Sequence, residues 1–147
     1  MSETLSIIDR LVSGRGPKQD AATLADTIGR DLLQLLNTWA RLNRADAANF
    51  ETLRSCVLNY GVEGIAGRTM ETGALKHFEH SIREAVDRFE PRLDSETVQV
   101  QAIPSGSGLS STEFTLRITG QMRGESGTRQ LVFDSLVNSD TGRVKLI

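Results

Sequence analysis

The sequence predicts an α+β domain: two main helices packed on a small antiparallel sheet of three to four strands, with one short helix ahead of them. Three observations carry this. An apolar stripe with helical spacing runs from Leu24 to Leu42, and a second runs from Leu75 to Phe89. Beyond Pro91 the apolar period drops from helical spacing to strict alternation. A chain of 147 residues has room for one such domain, assigned to residues 20–147, with residues 1–19 as an N-terminal arm.

In the arm, Leu5, Ile7, Ile8, Leu11 and Val12 outline a short amphipathic helix that Gly14-Arg15-Gly16-Pro17 breaks. A helix this short is unstable alone and has to dock, on its own domain or on a partner. Asp20 is the expected N-cap of the first main helix, predicted over residues 21–42. Leu24, Ile28, Leu32, Leu35, Trp39 and Leu42 form its core face, widened by Leu33 and Leu36. Gly29 inside it costs about 1 kcal/mol relative to alanine, which marks either close packing or no special role. Residues 43–73 read as loop, with glycines at 61, 64, 67 and 73 and a helical turn near residues 50–57. The second main helix is predicted over residues 74–89, with Leu75, Phe78, Ile82, Ala85, Val86 and Phe89 on one face. Pro91 disfavours helical geometry at Glu90 and stops it. Strands follow near residues 98–102, 114–119, 129–137 and 144–147, joined by turns at 105–111, 124–127 and 138–142.

Composition removes several function classes. The charge is 17 basic against 19 acidic residues, and neither half of the chain is basic enough for an electrostatic nucleic-acid footprint or a polybasic membrane tether. No apolar run exceeds three residues, against the roughly 20 needed to span a bilayer, so no membrane insertion is expected. The first residues show no signal-peptide pattern, and the chain reads as cytosolic. Cys56 is the only cysteine, which excludes an internal disulfide and every multi-cysteine metal motif.

The residues offer little for catalysis. His77 and His80 stand three apart with Glu84 beyond them, yet no third metal ligand is signalled, and both read as surface histidines. A glycosidase needs two carboxylates whose environments push their acidities apart. Glu90 is the best single candidate, but Arg92 is placed to pair with it. The stretch Gly106–Ser111 lacks the lysine and the following helix of a phosphate loop and reads as a turn. Cys56 has no activating neighbour in sequence and reads as a buried structural thiol. No catalytic residue, cofactor or metal is therefore assigned.

Three clusters point elsewhere. Asp31-Leu32-Leu33-Gln34-Leu35-Leu36-Asn37-Thr38 closes the first helix, Val57-Leu58-Asn59-Tyr60-Gly61 lies in the loop, and Arg88-Phe89-Glu90-Pro91-Arg92-Leu93 closes the second helix. With an alternating tail that contains Val132-Phe133-Asp134, this order resembles the TssE family of type VI secretion baseplates, within the contractile-phage baseplate wedge proteins, some of them long described as lysozyme-like. The resemblance covers roughly residues 20–147. The chain departs from the family pattern at Trp39, where arginine is usual, and at Val62-Glu63-Gly64, where Leu-Pro-Asp is usual.

The resemblance implies a non-enzymatic structural subunit. It would join a cytoplasmic wedge with TssF, TssG and TssK, docked at the inner membrane, to the base of a sheath built from VipA-like and VipB-like proteins. It also implies a partner-binding role for Glu90, Pro91 and Arg92. Read from chemistry, Pro91 stiffens the corner and Arg92 offers a bidentate fork to a partner, while the alternative is that Glu90 and Arg92 brace their own fold. The edges of the sheet are a second expected interface, open to strand addition by a sheath segment or else protected, with Arg123, Arg129 and Arg143 as charged guards. The wedge of another phage-like tail and, from the family's older description, a peptidoglycan hydrolase are the other readings.

Overall fold

The computed structural model describes residues 21–42, 44–67, 72–104, 112–123 and 130–147. The arm with its expected helix, Asp20, and the turns at 105–111 and 124–127 lie outside the described residues. The order of elements is α1 (Ala21–Leu36), α2 (Arg44–Asn49), α3 (Glu51–Arg54), a 3₁₀ turn (Val57–Asn59) and α4 (Thr72–Phe89). Four strands follow: β1 (Gln99–Pro104), β2 (Glu113–Gln121), β3 (Gln130–Asn138) and β4 (Val144–Leu146). They form one antiparallel meander in the order β1-β2-β3-β4. This is the α+β architecture expected of the sequence.

Alternation explains why, among the described residues, the helices cover one face of the sheet. Phe114, Leu116 and Ile118 of β2 and Leu131 and Val137 of β3 are buried, while Arg117 and Val132 between them are exposed. Against the apolar face, α1 contributes Ile28, Leu32, Leu35 and Leu36, and α4 contributes Phe78, Ile82, Ala85 and Val86. The two helices touch each other, with α4 lying over β1 and α1 lying over β4. Gly29 marks close packing, since a Cβ there would meet the Phe133 ring at 3.3 Å.

The first helix is shorter than its apolar rhythm predicts. It ends at Leu36, not at residue 42. The Asn37 side-chain amide and the Thr38 hydroxyl turn back to donate to the carbonyls of Leu33 (3.0 Å) and Gln34 (2.7 Å), which ends the helical ladder. The chain then runs alongside residue 62: Val62 N–H donates to Thr38 O and Ala40 N–H donates to Val62 O. Trp39 is consequently 56% exposed, lying against Gly64 and Gly142 instead of in the core. The region after it holds α2, α3 and the 3₁₀ turn where one helical turn was expected, and Cys56 between them is half-buried, not buried. The second main helix stops at Phe89, as Pro91 requires.

Candidate functional site

The corner after α4 is built by local rules. Glu90 N–H still donates to Val86 O, closing the last helical turn at 2.9 Å. Leu93 N–H then donates back to Glu90 O, so residues 90–93 make a β-turn with Pro91 at the position its fixed φ suits. The chain leaves the turn paired with the end of β2: Arg123 N–H donates to Arg92 O and Asp94 N–H donates to Gln121 O, both at 2.8 Å. Helix end and sheet end are thus fastened together at Arg92.

The Arg92 side chain closes the corner. Its Nε donates to Glu90 Oε1 at 2.6 Å and its Nη2 to Glu90 Oε2 at 2.5 Å, the paired geometry that suits a planar guanidinium and a carboxylate. Nη2 also donates to Asp31 Oδ2 of α1 at 2.5 Å. Glu90 is 3% exposed, Arg92 25% and Asp31 41%, so the cluster grades from a buried carboxylate to an open one. The bond to Glu90 raises the Arg92 pKa far above its ordinary value, with the Asp31 bond adding to it against the cost of burial. One cation stands between two carboxylates.

Tyr60 completes the node. Its ring meets Phe89 edge-on at 5.2 Å between centroids, and its hydroxyl faces the Asp31 carbonyl at 3.5 Å. Burial raises its pKa above the ordinary value, and the negative charges of Asp31 and Glu90 push the same way. Next to it Gly61 has φ +132°, and a Cβ there would lie 2.4 Å from Thr38 O. Asn59 Oδ1 accepts from Leu42 N–H at 3.0 Å. The three sequence clusters at Asp31–Thr38, Val57–Gly61 and Arg88–Leu93 are therefore one site in space.

Other sequence candidates lie outside it. His77 and His80 are on the surface of α4, facing Glu63 at 3.7 Å and Glu84 at 3.5 Å. They border or adjoin a cleft of about 60 Å³ between α4 and the loop, where Glu84 also meets Arg88 and Arg54. Among the described residues no group of three or more His, Cys, Asp and Glu side chains could hold a metal. Both Glu90 oxygens lie on Arg92, an arrangement suited to bracing and not to donating a proton to substrate.

Sequence reasoning placed Arg92 on Glu90 but missed Asp31, 61 residues away from Arg92. It also missed Asn37. That carboxamide donates to Val144 O at 2.9 Å and accepts from Val144 N–H at 3.0 Å, tying the end of α1 to the edge strand β4. The signal for Asn37 was present, since asparagine after an apolar helical run is a common stop. For Asp31 no local signal exists.

No helix among the described residues is long and apolar enough to cross a membrane. No curated protein matches the chain. Compared with known families, residues 22–126 match the family described as "Baseplate wedge protein gp25". The matched stretch holds α1, the loop, the Glu90–Arg92 corner and the first hairpin strands. The chain belongs to the baseplate wedge family, whose members are structural components that work alongside other baseplate proteins.

Proposed function

We propose that the chain is a TssE-like subunit of a type VI secretion baseplate, without enzymatic activity. It would join a cytoplasmic wedge of TssF, TssG and TssK, docked at the inner membrane, to the base of a VipA/VipB-like sheath. The observation that carries this reading is the convergence of the three family-like clusters on one partly open node around Arg92. The Glu90-Pro91-Arg92 corner presents groups whose orientation is already fixed, so little entropy remains to be lost when a partner docks. Arg92 and Asp31 form its accessible side. The sheath contact is placed at an edge of the sheet, where a strand can add.

The test is co-purification with TssF and TssG, using Arg92→Lys and Asp31→Asn beside the wild type, with thermal melting in parallel. Arg92→Lys keeps a cation over Glu90 but loses the planar fork. Variants that melt within a few degrees of wild type yet lose the wedge subunits support the reading. Wild type that fails to bind, or both variants binding as wild type, overturns it.

A further inference from the structure

The sheet has two edges, and they are closed in different ways. In β1 the backbone groups of Val100, Ala102 and Pro104 point away from β2, because Gln101 and its alternates face the neighbour. Glu79 of α4 takes the Ala102 N–H at 2.7 Å, and Pro104 has no N–H to offer. On either side of β4 the Arg143 carbonyl accepts from Asn138 N–H and the Ile147 N–H donates to Asp134 O, so Lys145, of the same parity and opposite Leu136, faces β3. Val144 and Leu146 therefore turn their backbone groups outward. Both outward groups of Val144 are held by the Asn37 carboxamide, which stands there as a neighbouring peptide unit would. Among the described residues nothing holds those of Leu146.

We infer that Asn37 is a latch on the β4 edge: in place, it keeps an incoming strand from pairing there, and when it swings away β4 accepts one. The inference rests on the reading of a sheet edge as the sheath contact, and it supplies the control of that contact. β4 is the acceptor because its Val144 is covered by a side chain, that of Asn37, whereas β1 is blocked at Pro104 by the backbone itself. With Asn37 in place a strand finds one open residue, Leu146. With Asn37 gone it finds two alternate ones, enough to start a ladder.

The side chains name the occupant. Arg143 and Lys145 are exposed on one side of β4, and Val144 and Leu146 are apolar on the other. The fitting strand is an extended segment that alternates acidic with apolar residues, so that its carboxylates lie beside Arg143 and Lys145.

The probe is a synthetic peptide of alternating valine and glutamate, titrated into the free full-length chain. Asn37→Ala is expected to bind it at least about tenfold more tightly than wild type, the gain of roughly one backbone pairing. Asn37→Ala combined with Leu146→Pro, which deletes an outward N–H and leaves the β3 bonds intact, is expected to lose that gain. Equal affinity of wild type and Asn37→Ala, or a gain that survives Leu146→Pro, overturns the inference. Amide exchange in the wild type covers the case in which Asn37→Ala does not fold. The Val144 N–H is expected to exchange at least about tenfold more slowly than the Leu146 N–H, and equal rates overturn the latch. Neither measurement involves wedge or sheath proteins, so failure here leaves the co-purification result standing, and failure there leaves the latch standing.

Discussion

Replacing Arg92 by alanine removes one partner from a cluster whose two carboxylates sit in opposite environments, and the structure sets how the cost divides. Glu90 is 3% exposed and both of its oxygens are bonded to Arg92. Without the guanidinium its one remaining described donor is the backbone N–H of residue 92, at 3.3 Å. Leaving a buried charge uncompensated costs about 3–5 kcal/mol. Asp31 is 41% exposed, so its loss of the same partner is met by water and costs below about 1 kcal/mol. At about 2–4 °C per kcal/mol for a chain of this size, Arg92→Ala should melt roughly 10 °C below wild type. Asp31→Asn should fall by about 4 °C or less. Adding Glu90→Gln to Arg92→Ala should recover part of the loss, because a neutral amide replaces the stranded carboxylate. Differential scanning calorimetry of the four proteins checks this. The reasoning is refuted if Arg92→Ala melts as wild type, or if Asp31→Asn costs as much as Arg92→Ala.

Other perturbations follow from the same geometry. Tyr60 is the only tyrosine, so tyrosinate absorbance reads it directly: it should ionise above the ordinary value of 10.0, and higher still in Arg92→Ala, because the Arg92 charge pulls it down. With the folded value raised, the Tyr60 contribution to stability is full below the unfolded value and is lost as pH climbs through the folded one, so melting should fall in that alkaline window. Gly61→Ala places a Cβ 2.4 Å from a backbone carbonyl in a conformation with φ +132°, and should cost more than about 2 kcal/mol or yield insoluble protein. By contrast Arg117→Ala breaks a two-bond pair with Asp134 on the open face of the sheet, and its melting temperature should stay within about 2 °C of wild type.

What the sequence made legible was what neighbours along the chain decide. Proline acts on the residue before it, so the end of α4 could be placed to the residue. Alternation places β2 and β3 because each side chain's face follows from its own parity. The end of α1 escaped because Trp39 and Leu42 happen to continue the helical rhythm, while Asn37, which stops it, is locked by Val144, 107 residues away. The helix α2, with the sequence Arg-Ala-Asp-Ala-Ala-Asn, has no apolar stripe to announce it. At the corner the pairing of Glu90 with Arg92 was local and readable, whereas Asp31 joins it only once α1 lies beside α4.

Asp31 and Asn37 stand six residues apart on one short helix end, about 9 Å along its axis. One holds the corner that joins α4 to the end of β2, and the other holds the edge strand at the far side of the sheet. Asp31 lies on α1 and Asn37 directly follows its last residue, so a displacement of the corner has a path to β4 through α1. On the proposed reading this links the wedge contact to the sheath contact through α1. The link has a measurable form. Arg92→Lys should change the exchange rate of the Val144 amide, although the two sites share no direct contact, and should leave the Ala102 amide, held by Glu79 on α4, unchanged. Equal effects at both amides would mean general loosening, and no effect at Val144 would mean that α1 does not couple the two ends.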